Sequence, residues 1–301
     1  MKPTIKAHLA LFAVALIYGA NYTIAKEVLN NDYLQPLGFI LMRAACACLL
    51  FWLLHTVAVK EKVERKDFGL LILCGLTGVA INQMFFFSGL KLSQPINAAL
   101  IMTTIPIMII MISPILTDEK ITWWKIAGII TGAIGAVILV LYGKSVELGR
   151  ENLLGDIFLF INATSYGVYL VLVNRLMQKY NAFTVLKWVF TFGLLFIIPF
   201  GAPQLVDVEW SSFPLSIWLA IAYVLLFTTF FSYLFNAYAL KIVSPTVAGI
   251  YVYLQPLLAT LVALSLGKDE LTLIKVFAGM MIFLGVFLVT RNKKGKNDVT
   301  K

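Results

Sequence analysis

The chain has 301 residues, of which 60% are apolar and 13% charged, where soluble domains carry about 25% charged residues; its mean hydropathy is +0.90. That composition excludes an ordinary soluble domain, because too little polar surface remains to face water. The net charge of +9 does not point to nucleic acid as a partner, since the cations fall between long apolar runs, where they set membrane orientation.

Ten such runs follow in chain order, at about 7–26, 36–57, 68–90, 95–116, 123–142, 154–176, 182–200, 214–240, 245–266 and 272–291. Each approaches the ~20 residues that a helix needs to cross the hydrocarbon, which predicts an all-α membrane protein with ten transmembrane helices. The first run follows Lys2 and Lys6, as a signal peptide would. Its apolar stretch continues to Ala25 and nine more runs come after it, so it reads as a retained helix. With ten spans both termini share a side. Seventeen Lys and Arg fall on that side and six on the other, Arg43 being the one left out as lying well inside a span. The bias predicts a multi-pass protein of the cell (inner) membrane with both termini cytoplasmic, its cations meeting anionic membrane lipid. Cys46, Cys48 and Cys74 lie inside apolar runs with no CxxC pair and no nearby His. They predict neither a metal site nor a cofactor.

The halves resemble one another at an offset of about 150 residues. Gly89-Leu90-Lys91 matches Ala239-Leu240-Lys241, Pro95 matches Pro245, and Pro106 matches Pro256. Asp118-Glu119 with Thr122 and Lys125 matches Asp269-Glu270 with Thr272 and Lys275, and Tyr18-Gly19 matches Tyr166-Gly167. The common order predicts two five-span repeats, at 1–146 and 147–295, followed by a basic cytoplasmic tail at 296–301. Five is odd, so the second copy enters the membrane from the opposite side. Inverted repeats of this kind characterise secondary transporters, whose halves exchange conformations around a central site.

The Tyr-Gly-Ala-Asn-Tyr stretch at 18–22 resembles the Trp-Gly-x-Asn/Ser-Phe start of EamA-type permeases in the drug/metabolite transporter superfamily, with Tyr18 standing where that family usually has Trp. Arg43 early in the second span, the prolines opening spans four and nine, and the acidic-x-hydroxyl turns before spans five and ten extend the resemblance over the whole chain. It implies a ten-helix carrier with a cavity between its halves, in a family made up mostly of exporters of amino acids, other metabolites or drugs.

Polar side chains at membrane depth face protein or a wet cavity, and helical spacing groups those in this chain. Asn162, Ser165, Tyr166 and Tyr169 form one stripe on span six. Thr229, Tyr233 and Asn236 form another on span eight, and Tyr251 and Gln255 a third on span nine. Asn97 and Thr104 stand on span four, Tyr18 and Asn21 on span one, and Asn82 on span three. These residues either line a substrate cavity or bond helix to helix. As a lining they predict a neutral pocket of amides and phenols. Pro106 and Pro256, mid-span and repeat-related, each free the carbonyl four residues back, at Met102 and Val252, and are candidate hinges. Arg43 lies about 12 Å from the outer end of its span at ~1.5 Å per residue, within snorkelling reach. It is either an interface anchor or a gating contact for a carboxylate or phosphate.

No Asp, Glu or His falls at the centre of a span, the nearest being Glu27 and Asp156 at predicted ends, so facilitated diffusion is the simpler expectation. A membrane-embedded lipid-modifying enzyme would need clustered Asp or His; the chain has two distant His. A pump would need a nucleotide-binding loop, and a non-transporting scaffold or sensor a long loop or soluble module. The expected function is therefore not enzymatic. It is alternating-access transport, and specifically efflux, of a small-molecule substrate such as an amino acid or related amphipathic metabolite, by a monomer or weak dimer.

Overall fold

The computed structural model describes residues 2–30, 33–93, 95–142, 153–265 and 272–291. The tail at 296–301, the 146/147 repeat boundary and Asp269-Glu270 lie outside them. The described residues form ten helical rods. α1 is Pro3–Asn30 and α2 is Pro36–Ala58. α3 runs through Phe68–Gly75, a π-helical Leu76–Ile81 and Asn82–Leu92. α4 is broken into Pro95–Met102 and Ile105–Leu116, and α5 is Trp123–Leu141. In the second half, α6 is Leu153–Lys179 and α7 is Ala182–Gly201. α8 passes through Leu215–Tyr223, a π-helical Val224–Phe231 and Ser232–Leu240. α9 comprises Pro245–Ile250, a tight turn Tyr251–Tyr253 and Leu254–Ser265. α10 is Leu273–Thr290.

Nine of the described helices are long and apolar enough to cross a membrane, and the apolar stretch of α9, Pro245–Leu261, is shorter than the rest. The ten runs expected from the sequence thus correspond, among the described residues, to nine such helices and this shorter one.

The interruptions fall at repeat-related places. The π segment of α3 corresponds to that of α8, and the break at Thr103-Thr104 in α4 corresponds to the tight turn in α9. The packing has the same pattern. α5 lies against α10 and α2 against α7; α1 packs on α8 and α9 as α6 packs on α3 and α4. Most contacts between the halves thus join helices at corresponding positions or have a counterpart, the packing of α5 on α9 being an exception.

Helices in lipid gain nothing from hiding apolar surface from each other, so close packing of small residues has to hold them. The α5–α10 pair shows this directly. A Cβ on Gly128 would stand 2.7 Å from the Gly285 carbonyl oxygen, and one on Gly285 would stand 2.6 Å from that of Gly128. Backbone meets backbone there, with no flexible side chain to yield. Gly285→Val should lower the unfolding midpoint of the detergent-solubilised protein, by an overpacking cost of roughly 1–3 kcal/mol. An unchanged midpoint would mean that the two helices do not meet this closely.

Candidate functional site

Where α1, α2, α3, α4, α6, α8 and α9 converge, they line a partly open cavity of about 100 Å³, smaller than a typical small-molecule site. Both halves contribute: Tyr18, Asn21, Arg43, Asn82, Gln83, Phe86, Phe87, Met102 and Ile105 from the first, and Asn162, Tyr166, Thr228, Tyr233, Val252 and Gln255 from the second. Met102 and Val252, whose carbonyls the prolines release, both reach this lining. Pro106 is in the first turn of the second piece of α4, directly after the break at Thr103-Thr104, and Pro256 follows the tight turn of α9. The helix interruptions therefore border the cavity.

A π turn lengthens the helical hydrogen-bond ring and loosens the carbonyls within it, and in a membrane interior water is not there to take them up. Side chains from the second half do so in α3. The Ser165 hydroxyl donates to the Thr77 carbonyl at 2.7 Å, the Tyr233 hydroxyl to that of Gly78 at 2.6 Å, and the Asn162 amide to that of Asn82 at 2.5 Å. In α8 the chain answers its own need, Thr229 donating to the Val224 carbonyl and Ser232 to that of Phe227, each at 3.0 Å. α1 joins in: the Tyr223 hydroxyl bonds the Ile17 carbonyl at 3.0 Å, and Thr228 donates to the Asn21 side-chain oxygen at 3.1 Å.

These bonds divide the sequence-predicted residues. Tyr18, Asn21, Asn82, Asn162, Tyr166, Tyr233 and Gln255 line the cavity. Ser165 and Tyr169 do not. Ser165 is spent on α3, and the Tyr169 ring packs between Tyr166 and Tyr233 over Gly78, where a Cβ would collide with it. Asn236 donates to the Tyr166 hydroxyl at 3.3 Å, and Tyr251 bonds His8 at 2.8 Å, both beside a small secondary pocket shared with Tyr18 and Gln255. Asn97 is away from the centre, donating to Asp156 together with Ser93. Gln83, which sequence spacing did not single out, lies in the lining and donates to the Tyr233 hydroxyl at 3.5 Å. It sits one residue past Asn82, on a face that the π turn rotates inward.

Arg43 departs from the snorkelling expectation. Its side chain is 5% exposed and turns into the cavity, with Nε donating to the Thr229 hydroxyl at 2.9 Å and the guanidinium 5.1 Å from the Phe87 ring centre. Among the described lining residues there is no Asp, Glu, Lys or His, and among all described residues no group of three or more His, Cys, Asp or Glu could hold a metal ion.

A second, open pocket lies where the α4–α5 connection meets the start of α9, bordered by Thr117, Asp118, Glu119, Asn174, Arg175, Gln178, Lys241 and Ser244. Glu119 closes its inner wall. Its carboxylate accepts from Lys125 at 2.6 Å, from Ser113 at 2.5 Å and from the Thr246 backbone amide in the first turn of α9 at 3.4 Å. Burial pushes this carboxyl upward, but the hydrogen bonds from Lys125, Ser113 and Ser244 outweigh it and hold it below its ordinary value of 4.5.

The model of the EamA-like transporter family matches residues 5–141 and again 153–291. The uncharacterized transporter YyaM of Bacillus subtilis is 23% identical, the match covering 93% of this chain and 92% of that protein. An uncharacterized transporter of Archaeoglobus fulgidus is 25% identical over 95% of this chain and 97% of its own length. A WAT1-related protein of Arabidopsis thaliana is 25% identical over 97% of this chain and 87% of its own. A crystal structure at 20% identity superimposes with a TM-score of 0.77 over 94% of this chain and 96% of that one; it carries the fold alone.

Two expectations follow. Ser165→Ala, which removes a donor from a buried carbonyl, should cost about 1–3 kcal/mol of stability and leave substrate affinity unchanged, whereas Gln255→Ala should weaken affinity at little cost in stability. Thermal unfolding and substrate binding on both variants separate the roles, and the reverse pattern would exchange them. For Glu119 the depressed value means that its contribution to stability is present above pH 4.5 and is lost as the pH falls through its folded-state value. The gap in unfolding midpoint between wild type and Glu119→Gln should therefore close on acidification through that window; a gap independent of pH would remove the carboxylate from the account.

Proposed function

The chain belongs to the EamA-like transporter family, and from that premise we propose a secondary carrier that exports a small amphipathic metabolite, an amino acid or a related compound, by alternating access. That the protein is a multi-pass membrane transporter, and not an enzyme, follows from the family. The finer reading is supported by one observation above all: the polar cavity is lined by both halves, and the helix interruptions that border it are repeat-related. Two related halves around one site can trade conformations, each closing the side that the other opens. Pro106 and Pro256, next to those interruptions, are the proposed hinges.

We take the repeats as 1–146 and 147–295 with opposite orientation in the membrane, because each contains an odd number of spans. The excess of seventeen Lys and Arg over six supports a cytoplasmic side for both termini and for the Glu119 pocket. On this reading that pocket is the cytoplasmic vestibule, through which substrate reaches the centre. We take the carrier as a monomer or weak dimer. A neutral lining apart from Arg43 supports facilitated transport, since proton coupling uses an acid at depth; Asp156 is bonded to Ser93 and Asn97 outside the cavity.

Counterflow in proteoliposomes loaded with amino acids and related metabolites tests this. Exchange of one chemical class, at the same rate with and without a pH gradient, is expected. Exchange driven by the gradient would overturn the uncoupled mechanism and direct attention to Glu27 and Asp156. No exchange of any class would overturn the transport reading for this cavity.

A further inference from the structure

The geometry points to Arg43 as the receptor for a carboxylate on the transported molecule, so that the substrates are carboxylates and not neutral or purely cationic compounds. The inference rests on the transport reading above and narrows it to a substrate class.

Three observations carry it. The side chain is 5% exposed in the interior of a membrane protein, and among the described residues no carboxylate pairs with it: the described ion pairs involve only Lys66, Lys125 and Lys179. A buried cation without a counter-ion is expensive, and the protein here bears that cost at the wall of its central cavity. The group is also fixed. Nε donates to Thr229, whose own hydroxyl hydrogen goes to the Val224 carbonyl, so that a lone pair is held toward the guanidinium. Phe87 flanks the same group. A guanidinium has five N–H donors in a rigid fork, and Nε accounts for one. The remaining fork borders the cavity, preset for two parallel bonds to a planar anion.

Charge balance selects among anions. The described lining supplies one positive charge and no negative one. A carboxylate neutralises it. A phosphate monoester carries about −1.5 to −2 at neutral pH and would leave uncompensated negative charge among the described lining residues. The amide of Gln255, also in the lining, faces the rest of the molecule.

The test uses the full-length protein in proteoliposomes and measures counterflow of matched probes: free amino acids and monocarboxylic acids, their primary amides, and phosphate monoesters of similar size. Wild type, Arg43→Lys and Arg43→Met are compared, with unfolding midpoints recorded for each. The expected result is exchange of at least one acid at about tenfold or more above its amide and above the phosphate esters, lost by about tenfold or more in both variants. Lys loses it because a point charge cannot replace the fork. The Met variant should unfold at the same or a higher temperature than wild type, since it no longer buries an unpaired charge; a purely structural arginine predicts a lower one. The inference is overturned if amides or phosphate esters exchange as well as the acids, if either variant keeps acid exchange within about twofold of wild type, or if Arg43→Met lowers the midpoint. Exchange of nothing by wild type is a different result: it removes the transport reading, and this inference with it.

Discussion

The structure depends on one constraint: inside a membrane every backbone hydrogen-bonding group needs a partner within the protein. Uninterrupted helices meet it without help, and α2, α5, α7 and α10 do so. Four of the helices that border the cavity do not. π segments run through α3 and α8, and α4 and α9 are broken at Thr103-Thr104 and at Tyr251–Tyr253. The loosened carbonyls of α3 are taken up from across the repeat boundary by Ser165, Tyr233 and Asn162. Thus in α3 the bonds that compensate the interruption also join the halves. A centre built in this way can be hollow and polar without leaving backbone groups unpaired.

The same bonds explain why a polar stripe on a membrane helix is an ambiguous sign. Ser165 and Tyr166 are neighbours in sequence. One is committed to the backbone of α3, while the other presents its phenol to the cavity and receives a bond from Asn236. Asn162 does both. Helical spacing places these groups on one side of α6 but does not say how far α3 stands from each. That distance depends on Gly78, whose missing side chain lets the Tyr169 ring lie against the π segment.

Around this polar centre the outer pairs hold by shape. α5 and α10 meet through Gly128 and Gly285, and the start of α2 is capped by Gln204, whose side-chain oxygen accepts from the Leu37 and Gly38 amides at 2.8 and 3.0 Å. The charged ends lie where water can reach them. Lys179 pairs with Glu64 and Asp67, tying the α2–α3 connection to the end of α6. Among the described residues the ionic contacts are kept to the margins, and the charge of Arg43 sits at the centre without one.

By itself the sequence determined the class and the plan. Apolar runs near the thickness of the hydrocarbon fixed an all-helical membrane protein, because only helices and closed barrels satisfy their backbone there, and repeated signals such as Pro106 with Pro256 exposed the duplication. Most of the cavity was legible too: Tyr18, Asn21, Asn82, Asn162, Tyr166, Tyr233 and Gln255 are polar in apolar surroundings, and polarity at depth has few other uses. The direction in which a residue points was decided only by the tertiary structure. Gln83 faces inward because a π turn shifts the helical phase, Asn97 is drawn to Asp156, and Arg43 turns to the centre because Thr229 and Phe87 wait for it there and not at the interface. Each outcome rests on a neighbour more than fifty positions away or more on a change of helical register, except that Phe87 stands closer in sequence, and spacing along a single helix carries no information about either.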